Sequence, residues 1–193
     1  MSKGRLEAFS DGVFAIIITI MVLELRAPEE GSFAALGPLL PKFLSYILSF
    51  IFVGIYWNNH HHLLQVIKHV SGNVLWANMH LLFWLSLIPF ATGWMGEHSF
   101  DKHPVALYGF VLWMCGLTYY LLVRSLLKLH DEQSVLVQAV GNIKKEMASL
   151  YLYTAAIPLA FFVPLISTII YAIVAAMWLI PDRRIENRIS HKS

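Results

Sequence analysis

Apolar residues occur along this chain in six long runs, separated by short polar or proline-containing segments. An α-helix needs about 20 apolar residues to cross the hydrocarbon core of a bilayer. The runs cover residues 6–25, 43–66, 74–95, 105–126, 147–163 and 165–181. The pattern predicts six transmembrane helices that form a single domain over residues 1–193. Pro164 is expected to separate the last two helices, because proline disfavours helical backbone in the residue before it.

The positively charged residues indicate how these helices lie in the membrane. If the N-terminus is cytoplasmic, 11 of the 14 Lys and Arg residues fall in cytoplasmic segments. Because Lys and Arg are enriched in cytoplasmic loops, we expect both termini to be cytoplasmic. Near the long connection between the fourth and fifth runs, the helical spacing of Leu136, Val140, Ile143 and Met147 predicts a short amphipathic helix on the inner surface.

Composition agrees with an all-α integral membrane protein. Hydrophobic residues make up 58% of the chain and charged residues 13%, and the mean hydropathy is +0.62. A soluble domain typically carries about 25% charged residues. The high hydropathy predicts that the lipid bilayer surrounds the chain. The net charge of +2 is too small to suggest a nucleic-acid partner.

Asp11 is the clearest charged residue within an apolar run. The interiors of the second to sixth runs contain no Asp, Glu, Lys or Arg. Pumps and ion-coupled transporters usually carry such groups near the midplane, so any conduction path here is expected to have mostly apolar and hydroxyl walls. Asp11 itself can be interpreted in two ways, as a carboxylate that complements the helix dipole or as a member of a buried polar cluster.

Polar residues at the depth of Asp11 define the members of that possible cluster. They are Ser10 on the first helix, Trp57, His60 and His61 near the cytoplasmic end of the second, and Trp76 and Asn78 at the start of the third. A buried carboxylate requires such donors. The run His60-His61-His62 does not predict a metal site, because consecutive helical residues point about 100° apart. We expect no metal and no cofactor.

A stripe of apolar residues lies along the first helix. Ile16, Ile20 and Leu23 follow i, i+4, i+7 spacing and share one face, and Gly12 and Thr19 lie on or beside it. Taken alone, this stripe predicts an ordinary lipid-facing or packing surface.

The first helix resembles the transmembrane protein 175 potassium channels in their prokaryotic one-repeat form. The resemblance rests on the motif Arg5-x-x-x-Phe9-Ser10-Asp11, followed by Ile16 and Thr19. Residues 57–89 resemble the family more loosely, through a Trp and paired-His pattern, Asn78 and the sequence Leu-Ile-Pro-Phe at 87–90. The chain departs from the family in having Asn58-Asn59 and a third histidine after the tryptophan.

The resemblance implies a four-fold homotetramer in a prokaryotic plasma membrane, whose first helices line a central path for potassium ions. Carried over by position, the isoleucine ring at the narrowest point is Ile16, and the next apolar rings are Ile20 and Leu23. Gly12 and Thr19 are then adjacent to the pore. Arg5, Ser10 and Asp11 match family positions with a structural role.

The implied mechanism differs from that of common tetrameric potassium channels. Those channels select ions with carbonyl oxygens of a Thr-Val-Gly-Tyr-Gly filter, and this sequence has no such motif. A ring of isoleucines cannot replace the water around an ion, but it can narrow the path and gate it by dewetting. Such a ring favours the cation that loses water more easily, so the selectivity for potassium over sodium is expected to be modest.

Three other functions remain open at this level. The same fold could conduct or leak protons through Asp11 and the histidines. A membrane-embedded enzyme would need a nucleophile–base pair or a metal triad, which the sequence does not show, so we expect no enzymatic activity. A scaffold without conduction is the third alternative.

Overall fold

A computed structural model describes residues 2–65, 67, 69–129 and 144–179. Within these ranges the regular structure is entirely helical. The α-helices are α1 (Lys3–Leu23), α2 (Leu40–Gln65), α3 (Gly72–Ser86), α4 (Ile88–Glu97), α5 (Lys102–Leu127), α6 (Lys144–Leu159) and α7 (Pro164–Leu179). A 3₁₀ segment over Phe33–Leu39 leads into α2. Most of the amphipathic helix expected over residues 136–147 lies outside the described residues, and its last four positions belong to α6.

The third predicted helix consists of two helices in the structure. α3 ends at Ser86 and α4 starts at Ile88, with Leu87 forming a turn between them. Pro89 explains the break, because a proline has no N–H to donate and its ring clashes with the carbonyl group four residues earlier. Together α3 and α4 still form one apolar stretch of 26 residues.

The break expected at Pro164 is present, but the preceding helix ends earlier than expected. α6 stops at Leu159, and residues 160–163 form a turn before Pro164 begins α7. Pro164 is the first residue of α7, where its missing N–H leaves no hydrogen bond unmade. Ser167 also holds the two helices together, because its hydroxyl donates to the carbonyl of Ala156 at 2.8 Å.

Judged by length and composition, four helical segments in the described part of the chain could cross a membrane. They are Lys3–Leu23, Phe33–Gln65, Gly72–Glu97 and Lys102–Leu127. α6 and α7 have 16 residues each, or about 24 Å at 1.5 Å per residue. The structure is therefore an all-helical membrane-type fold with four full-length spans and two shorter helices in its described part.

α5 forms the centre of the packing. It contacts α3, α4, α6 and α7, and it buries a continuous series of side chains that includes Tyr108, Leu112, Cys115 and Leu122. α1 packs against α2, α3 and α4. Only one stripe of α1 is buried, so this helix lies at the edge of the folded chain with its other face open.

Two glycines allow helices to approach closely. A Cβ atom on Gly109 of α5 would overlap the hydroxyl of Tyr171 on α7, and one on Gly96 of α4 would lie 2.7 Å from Cα of Lys42 at the start of α2. Small residues at helix crossings permit such approach in membrane proteins. An ion pair between Lys42 and Glu97, with Nζ and Oε1 3.0 Å apart, lies beside the second crossing.

Candidate functional site

The residues of the predicted stripe on α1 lie on its open face. Ile16 is 58% exposed, Ile20 43% and Leu23 76%, and Gly12 and Thr19 are exposed beside them. A Cβ atom added to Gly12 would meet no atom within 4 Å. Every position of the predicted stripe is therefore free of contacts that would bury it within its own chain.

The opposite face of α1 carries a second stripe that packs into the core. Its members are Leu6, Ser10, Phe14, Ile17 and Met21, and all are buried. They recur at spacings of three and four residues, as one face of a helix requires. The helix has similar residue types on both faces, so the tertiary contacts rather than an amphipathic pattern determine which face is open.

A hydrogen-bonded chain of buried polar side chains anchors the packed face of α1. Asn78 Nδ2 on α3 donates to Ser10 Oγ at 3.0 Å, and Ser10 Oγ donates to the carbonyl of Leu6 at 2.9 Å. Asn78 Oδ1 lies 2.7 Å from His60 Nε2 on α2. Since an amide oxygen can only accept, His60 carries its proton on Nε2. The bonds run in one direction, from α2 through α3 to α1.

Asp11 belongs to a separate and less buried group at the α1–α2 contact. Trp57 Nε1 donates to Asp11 Oδ1 at 3.0 Å. The Trp57 ring stacks on the ring of His61, with centroids 5.8 Å apart. His61 Nδ1 is 3.4 Å from Glu7 Oε1, and His61 Nε2 is 2.8 Å from the side-chain nitrogen of Gln65. Asp11 thus receives its hydrogen bond from Trp57, and His61 is paired with Glu7.

The predicted single cluster therefore divides into two groups, and two of its members lie apart. Trp76 is 77% exposed, because it precedes Asn78 by two residues on α3 and points about 200° away from it. Arg5 is also exposed. It lies five residues before Ser10, which places it about 140° around the helix from Ser10. Neither residue takes part in the hydrogen bonds described above.

A buried hydroxyl cluster lies between α2, α4 and α5 and was not predicted from the sequence. Ser49 Oγ lies 2.6 Å from Thr92 Oγ1 and 2.9 Å from Tyr108 Oη. All three side chains are buried. A signal was present in the spacing, because Ser45 and Ser49 lie four residues apart on α2. Small residues at that spacing are typical of helix contacts in membranes.

The three consecutive histidines have different environments. His60 is buried and hydrogen-bonded to Asn78. His61 faces Glu7. His62 Nδ1 is buried without a hydrogen-bond partner. Within residues 2–65, 67, 69–129 and 144–179, no group of three or more His, Cys, Asp or Glu residues could hold a metal ion.

Comparison with known proteins assigns the family. A family model described as endosomal/lysosomal potassium channel TMEM175 matches residues 5–89. A potassium channel from Chryseobacterium sp. (strain P1-3) is 56% identical over 186 residues, which are 96% of this chain and 97% of the relative. The chain belongs to the TMEM175 family.

A solved TMEM175 structure has the same fold. The crystal structure of a lysosomal potassium-selective channel TMEM175 homolog from Chamaesiphon minutus superposes with a TM-score of 0.82 at 25% identity. The alignment covers 93% of this chain and 97% of that one. An endosomal/lysosomal proton channel TMEM175 from Bos taurus is 35% identical over 116 residues, which are 54% of this chain and 24% of the longer relative.

The TMEM175 family match contains all of the predicted site residues. Residues 5–89 run from Arg5 on α1 to Pro89 on α4. They include the open face of α1 and both polar groups that join α1 to α2 and α3. α5, α6 and α7, which complete the core, lie beyond that match, whereas the relative from Chryseobacterium covers them as well.

Proposed function

We propose that this chain is the subunit of a potassium-permeable, modestly selective cation channel whose ion path is lined by α1. The observation that carries the proposal is the open face of α1. Ile16, Ile20 and Leu23 remain exposed although the opposite face of the same helix is packed against α2, α3 and α4. Two bacterial relatives are named potassium channels, which supports the identity of the ion.

The proposed path requires several copies of the chain. One subunit supplies one α1, and a single helix cannot enclose a path, whereas cyclic symmetry closes a ring from identical contacts. Gly12 and Ala15 on the open face would allow neighbouring helices to approach closely. We infer a homotetramer. Cyclic symmetry requires only that the ring of subunits closes, and rings of three or five would also close. The number of four subunits therefore rests on the family resemblance.

The proposed arrangement in the membrane has six spans, both termini in the cytoplasm and one domain per chain. The excess of Lys and Arg in the segments expected inside supports it. α6 and α7 are shorter than the hydrocarbon core, and a bilayer can accommodate short helices at modest cost. The potassium-channel relatives from Chryseobacterium and Streptomyces are bacterial, which supports a plasma-membrane location.

In this proposal Ile16 forms the narrowest ring, Ile20 and Leu23 form the next apolar rings, and Gly12 and Thr19 are adjacent to the pore. A wide-open isoleucine ring would be wet, whereas a narrower one would expel water and stop conduction. The Thr19 hydroxyl donates to the carbonyl of Ile16 at 2.9 Å, so its proton is used within the helix and its oxygen keeps two lone pairs for a passing ion. Potassium is the permeant ion in this scheme, and no cofactor is needed.

The polar groups behind α1 have a supporting role in the proposal. Ser10, Asn78 and His60 hold α1 from its packed side, and Trp57 holds Asp11 beside the α1–α2 contact. Because the carboxylate of Asp11 is already an acceptor within the chain, we assign it to structure rather than to ion binding.

Planar-bilayer recording of the purified protein tests the function. With potassium on one side and sodium on the other, we expect single-channel currents whose reversal potential favours potassium by a modest ratio. A reversal potential at zero would contradict the selectivity. Silent bilayers that contain assembled protein would favour a non-conducting scaffold.

Proton conduction is the second candidate function, because the TMEM175 relatives from animals are named proton channels. The same bilayers separate the two ions. With symmetrical potassium and a pH difference across the membrane, a reversal potential that follows the pH gradient would identify protons as the current carrier. A reversal potential that stays at zero under these conditions supports potassium.

A further inference from the structure

We propose that each chain binds one phospholipid molecule, whose acyl chain lies in a groove between α2 and the end of α7 and whose glycerol ester is hydrogen-bonded to Asn58. The groove has a volume of about 260 Å³. Its walls are residues of α2 between Phe50 and Asn58, together with Trp178 and Leu179 of α7. No described residue of α1 lines it, so the groove is separate from the proposed ion path.

The groove has the width of a hydrocarbon chain rather than that of a helix. The helix rises about 12 Å from Phe50 to Asn58, so the volume corresponds to a mean cross-section of about 22 Å². An α-helix with its side chains is at least about 10 Å across and occupies about 80 Å². A hydrocarbon chain occupies about a quarter of that area, because nonbonded carbon atoms approach to about 4 Å. An acyl chain therefore fits the groove, and a helix of a second copy does not.

Most of the groove wall is apolar and open to the surroundings of the chain. Phe50 is 45% exposed and Leu179 is 56% exposed, and Ile51 and Ile55 complete the apolar wall. Gly54 keeps the groove open, because a Cβ atom there would meet nothing within 4 Å. An empty groove would lose the dispersion contacts of its lining atoms. An acyl chain of the surrounding bilayer restores these contacts.

Asn58 adds a polar group to this apolar groove. Its side chain is half-buried, and within the described residues its amide has no hydrogen-bond partner. The neighbouring Asn59 differs, because its Nδ2 donates to the carbonyl of Ile55 at 2.8 Å. A side-chain amide has two N–H donors, and a donor without a partner is costly away from water. The carbonyl oxygen of a glycerol ester is an acceptor that removes this cost.

The position of Asn58 along α2 agrees with the depth of a glycerol ester. Trp178 lines the groove beside Asn58, and tryptophan is enriched where the hydrocarbon meets the headgroups. Asn58 lies seven residues before Gln65, the last residue of α2, which is about 10 Å along the helix axis. Trp178 Nε1 donates to Ser149 Oγ at 2.8 Å, so the indole N–H is used within the protein and the ester is left to Asn58.

A pair of lipids that differ only at the ester tests this recognition. Dioleoyl phosphatidylcholine has ester carbonyls, whereas its ether-linked analogue has CH₂ groups in their place and the same headgroup and chain length. Native mass spectrometry of the full chain in mild detergent should show one phosphatidylcholine held per chain after loosely bound lipid is removed. The ether analogue should bind about threefold more weakly, as expected for the loss of one hydrogen bond.

Asn58→Leu should bind the ester and ether lipids equally, because the donor that distinguishes them is gone. Asn73→Leu, which replaces an exposed asparagine outside the groove, should keep the parent's preference for the ester lipid.

Gly54→Leu should weaken both lipids roughly tenfold, since its side chain takes the place of buried CH₂ groups of the acyl chain. This variant should fold, because leucine is a better helix former than glycine. Gly37→Leu is its control, because a Cβ atom at Gly37 also meets nothing within 4 Å and Gly37 does not line the groove.

Three results would overturn the proposal. Equal binding of the ester and ether lipids by the parent protein would show that Asn58 does not recognise the ester. Undiminished lipid binding by Gly54→Leu would place the lipid elsewhere on the chain. A parent protein that retains no lipid, combined with a loss of assembly in Gly54→Leu, would show that a second copy covers the groove. The potassium-channel function would survive the first two outcomes and is tested separately by conduction in every case.

Discussion

The side-chain amide of Asn78 donates to the hydroxyl of Ser10 at 3.0 Å, although the two residues are 68 positions apart in the chain. Both side chains are fully buried. This contact determines the rotation of α1 about its axis. Ser10 and Ile16 point about 120° apart on a helix, so the bond that draws Ser10 into the core leaves Ile16 on the open side.

Replacing Asn78 should destabilise the fold. Asn78→Leu removes the acceptor of His60 and the donor to Ser10, and each buried group left without a partner costs about 1–3 kcal/mol. We expect a lower unfolding temperature in detergent. Asn73→Leu, on the same helix but at an exposed position, is the matched control and should unfold like the parent. Equal stability of the two variants would show that the hydrogen-bonded chain does not hold α1.

Ile16 is the position where a polar side chain should change conduction most. Ile16→Asn should raise the single-channel conductance and move the potassium-to-sodium permeability ratio toward one, because a polar ring stays wet. Ile173→Asn on α7 alters another exposed isoleucine and should conduct like the parent. If the Ile16 variant retains the parent's conductance and selectivity, the constriction lies elsewhere.

Two substitutions of Asp11 separate a structural role from ion binding. Asp11→Asn removes the charge but keeps an acceptor for Trp57 Nε1, so assembly and potassium conductance should stay near parent values. Asp11→Leu removes both and should lower stability by about 1–3 kcal/mol, since the indole N–H loses its partner. A large fall in conductance for Asp11→Asn, with assembly intact, would assign the carboxylate to the permeating ion.

Gly12 should matter for assembly and little for the fold of one chain. A side chain at Gly12 projects into open space, so Gly12→Leu should fold but keep neighbouring copies of α1 apart. Native mass spectrometry in mild detergent should give a parent species near four times 22.0 kDa and smaller species for the variant. Ala172→Leu, an exposed position on α7, is the control. A variant that assembles like the parent would exclude Gly12 from the contact between copies.

The sequence alone was enough to predict a helical membrane protein and its family. Long apolar runs cannot satisfy their backbone hydrogen bonds in lipid unless they are helical. The membrane helices could therefore be located by counting consecutive apolar residues. The motif from Arg5 to Thr19 led to the TMEM175 family. The break at Pro164 was also predictable, because proline acts on its own local backbone. The division of the third run at Leu87 was missed, although Pro89 marks it by the same mechanism.

Only the tertiary structure decided how the polar side chains are grouped. Trp76 and Asn78 were grouped because they lie at the same depth in the membrane, yet Trp76 is exposed and Asn78 is buried. The orientation of a side chain depends on which face of its helix is packed. For the same reason Asp11 pairs with Trp57 rather than with a histidine. Ser49 and Tyr108, 59 positions apart, meet only after α2 and α5 have packed. An apolar helix has no polar face to indicate its orientation, so long-range contacts such as that between Ser10 and Asn78 must set it.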